Sequence, residues 1–157
     1  MENLIKRIKR HEGLSLEPYQ DPEGNYTIGW GHKVHEPGTP ISIHDADELL
    51  EHDVYHASDQ LMTLKCCAGL DIVRREVLCE LIFWVGFKGL LRFKKMRKAI
   101  QDKDYHLAAL ELYNSELGRK YSSRARELAE LMWAGEDYTI ACDPEIDDLL
   151  SQIADVA

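Results

Sequence analysis

One segment interrupts an otherwise helical chain. From Leu14 to His35 the three-and-four spacing of apolar residues gives way to short extended stretches around Asp21-Pro-Glu-Gly-Asn25, a cluster of turn formers. The remaining apolar stretches keep a helical period. A small antiparallel hairpin lobe joined to a larger helical lobe, an α+β fold of mostly helical character, is what this combination predicts. At 157 residues and 45% hydrophobic content the chain is long enough to bury a core as one domain with two lobes.

The flanking helices place the unusual residues. Leu4, Ile5 and Ile8 recur at helical spacing, with Asn3 as N-cap and Gly13 as terminator, so Glu12 falls in the last turn on the face that carries Ile5 and Ile8. That is a costly place for a carboxylate. Beyond the turn, Tyr26, Ile28, Trp30 and His32 alternate with Thr27, Gly29 and Gly31, which predicts one strand with a bulky face and a nearly bare one. A hydroxyl beside glycines lets a ligand approach the backbone closely, whereas the plainer explanation is a bend in the sheet.

Pro37 to Pro40 forms a linker, and Ser42 with Asp45 makes a capping box ahead of a long helix running to about Met62. Residues 71 to 85 are apolar on most sides and predict a central buried helix, in which Glu80 is conspicuous. Glu80 and Trp84 share one face, and two readings stay open: an acid and indole pair facing a sugar, or a Glu reaching solvent at the core edge. Lys94, Lys95, Arg97 and Lys98 predict a solvated face, with attraction to an anionic polymer as the sharper reading. Further helices fit Tyr105 to Asn114 and Ser122 to Ala134. The expected domains are a catalytic domain over 1–138 (β lobe about 13–41, helical lobe about 42–138 plus the first helix) and an acidic amphipathic C-terminal helix over 139–157, with Asp143 as its N-cap.

The formal net charge of −9 is concentrated at the C-terminus: residues 136–157 hold seven acids and no Lys or Arg. Against 19 bases, residues 1–135 hold 28 − 7 = 21 acids and are nearly neutral, unlike a dedicated nucleic-acid binder. The tail packs on the helical lobe in the bland reading and docks an unknown basic partner in the sharper one. Four cysteines without Cys-x-x-Cys spacing predict reduced, mostly buried thiols. His52 and His56, four apart, make half a metal site at most and are read as two solvated histidines. No run reaches the roughly 18 apolar residues of a membrane span, and the first residues lack a signal-peptide pattern. The expectation is a monomer made in a host cytoplasm, without stable membrane insertion.

Glu12, Asp21 and Thr27 supply an acid at a helix end, a carboxylate on a turn and a hydroxyl across from it, the parts needed to protonate a leaving oxygen and place a water. Such a glycosidase needs no metal or organic cofactor. Competing readings are a lytic transglycosylase, which has no use for a held water, and a non-catalytic wall-binding or tail-regulated interaction protein.

With His11-Glu-Gly, Tyr19-Gln-Asp21, Gly24-Asn-Tyr-Thr-Ile-Gly-Trp-Gly-His32, His52-Asp-Val54, Leu70-Asp-Ile-Val-Arg-Arg75 and Ser123-Arg-Ala-Arg126, the chain resembles the phage-type lysozymes, glycoside hydrolase family 24, over about residues 1–138. The resemblance implies a cleft between lobes and hydrolysis, with inversion, of the β-1,4 bond between N-acetylmuramic acid and N-acetylglucosamine in peptidoglycan. It implies Glu12 as general acid, Asp21 beneath the reacting sugar and Thr27 holding the attacking water. Arg124 would pair with Glu12, and His32 with Asp53. Gly31, Glu80 and Trp84 are expected to contact substrate. The linker is shorter than usual for that family, and Glu80 and Trp84 replace amides. An enzyme of this kind without a signal reaches the wall after membrane permeabilisation or as part of a particle.

Overall fold

In the computed structural model residues 1–21 and 24–137 are described. They fall into two units, Met1–Gln60 and one beginning at Leu61. The expected acidic helix of 139–157, with Cys142, lies outside the described residues.

The first unit opens with α1 (Glu2–Glu12), which buries Leu4, Arg7 and Ile8. Its N-cap is Met1, not Asn3, because Glu2 already belongs to the first turn and its carboxylate accepts a 2.5 Å hydrogen bond from Lys6. Gly13, at φ 71°, ends the helix as expected, its N–H donating to the Lys9 carbonyl. A three-stranded antiparallel sheet follows in the order β1 (Ser15–Gln20), β2 (Tyr26–Gly29) and β3 (His32–Val34). The predicted single strand from Tyr26 to His32 is instead two strands, since Gly29 and Gly31 take φ values of 66° and 94° and turn the chain around Trp30. Those left-handed angles suit glycine alone. Ile28 then pairs with His32, and Thr27 lies between Tyr19 and Lys33. Thr27 and Ile28 are both buried.

The linker is fastened to the sheet by the Ile41 N–H, which donates to the Leu16 carbonyl. The capping box then forms in full: Asp45 N donates to Ser42 Oγ at 3.1 Å and Ser42 N to Asp45 Oδ2 at 3.0 Å. The Ser42 hydroxyl, donating to Asp45 Oδ2 at 2.8 Å, and then the Ser42 N–H hold the Asp45 carboxyl below its ordinary range. They start α2 (Ile43–Met62), whose buried stripe includes Ala46, Leu50, Val54 and Ala57.

In the second unit a short 3-10 turn (Lys65–Cys67) precedes α3 (Ile72–Arg92), capped by the Asp71 side chain and bent at Gly86. α4 (Lys94–Gln101), α5 (Tyr105–Tyr113), α6 (Glu116–Lys120) and α7 (Ser122–Ala134) complete it, with α5 packed between α4 and α7 and with α3 also on α7. On α4, Met96, Ala99 and Ile100 face the core, and Arg97 turns from the expected charged face to donate to the Leu91 carbonyl at 2.9 Å. Arg74 of α3 caps the far end of α7, donating to the carbonyls of Met132 and Trp133 while pairing with Asp71 and lying 3.7 Å over the Tyr105 ring. Cys66, Cys67 and Cys79 are free thiols. Burial, followed by the neighbouring Cys66, pushes the Cys67 thiol up to about 12. Among the described residues no helix is long and apolar enough to cross a membrane.

Candidate active site

The first unit brings Glu12, Asp21 and Thr27 onto three adjoining pieces of chain. Glu12 ends α1 half-buried, and its carboxylate lies against the backbone of Gly31: a Cβ built on Gly31 would stand 3.3 Å from Glu12 Oε2. Gly31 is thus the wall against which the acid rests. Any side chain there would both crowd the carboxylate and strain a φ of 94°.

Asp21 is fixed by its own turn. Its Oδ1 accepts from the Asn25 N–H at 2.8 Å and its Oδ2 from the Asn25 side chain at 3.0 Å, while Lys33 stands 4.0 Å away. A carboxylate tied to the backbone in this way is held ready and does not swing freely. Thr27 is 4% exposed, and its Oγ1 has no hydrogen-bond partner among the described residues. Buried hydroxyls seldom lack a partner.

Tyr19 joins the three. It lies directly across the sheet from Thr27 and is 41% exposed. Partial burial first, then the negative charges of Glu12 and Asp21, push its phenol above the ordinary value. One ring therefore feels both carboxylates. Sequence reading did not single it out, although its place two residues before Asp21, on the Asp21 side of the hairpin, was a usable signal.

The supporting residues sit behind. His32 Nδ1 lies 2.7 Å from Asp53 Oδ2, which ties β3 to α2. A second tie uses Asp47, which accepts from the Trp30 indole N–H and from Lys9, both at 2.7 Å. The Lys9 ammonium, then the indole, lower the Asp47 carboxyl. The Trp30 turn is therefore fastened to both α1 and α2. His52 and His56 stack edge to face with their ring centroids 5.5 Å apart, and among the described residues no group of three or more His, Cys, Asp or Glu is arranged for a metal ion.

In the second unit Glu80 is fully buried, which corrects both sequence readings: it neither faces a sugar nor reaches solvent. It lies on the inner face of α3, where Arg124 Nε of α7 donates to its Oε1 at 3.1 Å. Glu80 is thus one partner of Arg124. The guanidinium also lies 4.2 Å over the Trp84 ring, occupying a face the sequence left for sugar, and Trp84 meets Tyr121 edge to face at 5.2 Å. Tyr121 precedes α7 outside any helical stripe, and sequence reading assigned it no site role.

The sequence model of the phage lysozyme family matches residues 9–127. The chain belongs to the phage lysozyme family. It is therefore a glycoside hydrolase of the muramidase type, with bacterial peptidoglycan as its substrate class. It is 28% identical to "Probable T4-type lysozyme 2" of Dictyostelium discoideum, across 85% of this chain and 95% of that protein. To the endolysin of Salmonella phage P22 it is 34% identical, across 68% of this chain and 76% of the endolysin. An endolysin of Acyrthosiphon pisum secondary endosymbiont phage 1 is 29% identical across 66% of this chain and 70% of its own. All of the first-unit site residues from Glu12 to Asp53, and Glu80, Trp84 and Arg124, fall inside the family match.

Proposed function

We propose that the protein hydrolyses the β-1,4 bond between N-acetylmuramic acid and N-acetylglucosamine with inversion, Glu12 donating the proton to the leaving oxygen. Asp21 stays ionised on its turn and stabilises the positive charge that develops on the sugar ring. Thr27, too weak a base to act alone, holds the attacking water. Gly31 keeps Glu12 in place and leaves room beside it for the glycan. The His32–Asp53 contact fixes the strand after the turn, and Glu80 acts by holding Arg124.

The observation that carries this reading is the Thr27 hydroxyl, buried without a hydrogen-bond partner among the described residues on the strand facing Tyr19, a ring that senses both the Glu12 and the Asp21 charges. A group that holds water is needed for hydrolysis and has no task in a transglycosylase.

The test is clearing of purified peptidoglycan by wild type and by Glu12→Gln, followed by analysis of the sugar ends. Glu12→Gln should fold normally and clear at least about 100-fold more slowly, the usual contribution of a general acid. Wild type should release reducing ends of inverted configuration. Anhydro-muramyl ends would replace the hydrolase with a transglycosylase, and undiminished clearing by Glu12→Gln would remove Glu12 from the chemistry.

A further inference from the structure

The second unit holds a graded stack whose outer ring, Tyr121, has no part in the hydrolytic chemistry above. At its base the Glu80 carboxylate, fully buried, accepts from Arg124 Nε. A buried ion pair is poor core filling, since well-packed apolar side chains of the same volume are often as stable or more so. What the pair does provide is direction. The Glu80 bond holds the guanidinium over the Trp84 ring at 4.2 Å, and Trp84 in turn meets the Tyr121 ring at 5.2 Å and 68°. Burial falls from none exposed at Glu80, through half-buried Trp84, to 42% exposed at Tyr121.

Tyr121 also lies where the backbone is fixed. It sits between α6 and α7, its N–H donating to the Leu117 carbonyl and its own carbonyl accepting from the Ala125 N–H. A ring so held has little rotamer freedom left to lose on binding. The Lys120 ammonium stands 5.1 Å from its centroid, so a ligand on the ring also meets a positive charge. Peptidoglycan offers both partners: pyranose faces lined by C–H bonds, which suit the electron-rich face of an aromatic ring, and carboxylates on the attached peptides.

We propose that Tyr121, oriented from below by Trp84, Arg124 and Glu80, is a glycan contact that stacks on a sugar ring of the peptidoglycan strand. This rests on the peptidoglycan reading above. Tyr121 binds and does not take part in proton transfer, and Glu80 is a positioning residue that acts through Arg124 and Trp84.

The experiment titrates N-acetylglucosamine oligomers and solubilised peptidoglycan strands into the whole protein, following tryptophan emission and, separately, turnover. Because Trp84 touches Tyr121, ligand on the ring should shift the emission, and that shift should vanish in Trp84→Phe while the signals from Trp30 and Trp133 remain. Tyr121→Ala should weaken binding and raise KM about fivefold to tenfold, the loss typical of an aromatic anchor, with kcat nearly held. Tyr121→Phe should restore affinity, since the ring and not the hydroxyl makes the contact. Unchanged KM and unchanged titration in a folded Tyr121→Ala protein would overturn the proposal while leaving the hydrolase intact. Failure of wild type to clear walls would instead bring down the reading beneath it. An equal loss in Tyr121→Phe would overturn the stacking account.

Discussion

Thr27 separates stability from activity more sharply than any other residue here. Its hydroxyl is buried without a hydrogen-bond partner among the described residues, a situation that costs a folded protein about 1–3 kcal/mol relative to a satisfied group. Thr27→Val keeps the shape and the β-branched preference for a strand while deleting that hydroxyl. Thermal unfolding should therefore show Thr27→Val to be as stable as wild type or up to about 1 kcal/mol more so. Wall clearing should fall about 100-fold, the penalty for a mispositioned reactant. A destabilised variant would mean that the hydroxyl serves the fold. The sequence made Thr27 visible through its glycine neighbours, and of the two explanations for them the bend in the sheet is the one the backbone bears out. The bareness at Gly29 and Gly31 reports two positive φ angles and a reversal of the chain, which residue alternation alone does not distinguish from a continuous strand.

Among the elements, those long enough to show an apolar period, with or without a capping signal, were readable and the short ones were not. The capping box at Ser42 and the apolar stripes of α2, α3 and α7 are local signals. α6 is not: it is five residues long, too short for a period, and depends on the Ser115 side chain accepting from the Gly118 N–H. Gly118 is also where the chain passes so close to the Tyr113 carbonyl that a built Cβ would stand 1.9 Å from its oxygen. Gly118→Ala should destabilise the protein by about 1–3 kcal/mol, as overpacking does, a loss readable as a lower urea midpoint at unchanged slope. At the head of α3, burial raises the Asp71 carboxyl, but hydrogen bonds from the Arg74 N–H and guanidinium outweigh it and leave the group lowered. A lowered carboxyl stabilises the fold above its unfolded pKa, roughly 3.9, and that contribution is lost as pH falls through the lower folded value. Wild type should thus exceed Asp71→Asn by a constant margin from about pH 5 to pH 8. The margin should shrink steadily below about pH 4. Urea unfolding of both proteins across that range checks the sign, and a margin that grows in acid would contradict the assignment.

At the scale of the whole molecule, fold class and family were legible because they rest on runs of residues, and the resemblance carried the His32–Asp53 contact, whereas the Glu80–Arg124 pairing was not legible. Glu80 on α3 and Arg124 on α7 are 44 positions apart, and only the packing of two buried helices brings them together. Charge, by contrast, is legible without any structure, and it supports a prediction of its own. Residues 138–157 contribute five acids (Asp143, Glu145, Asp147, Asp148, Asp155) and no Lys or Arg, so removing them takes the formal charge from −9 to −9 + 5 = −4. The family match ends at residue 127, well short of this segment. Peptidoglycan bears carboxylates, and a negatively charged enzyme approaches it against a repulsion that salt screens within a Debye length of about 10 Å at 0.1 M. A chain ending at Asp137 should therefore clear walls faster than the full chain at low ionic strength and at the same rate in high salt. Rates measured from roughly 10 mM to 500 mM salt, a span over which the Debye length shrinks several-fold, would show the two curves converging. Loss of clearing at every ionic strength would instead make the acidic segment part of the fold, and a change of oligomeric state on truncation would give it a partner.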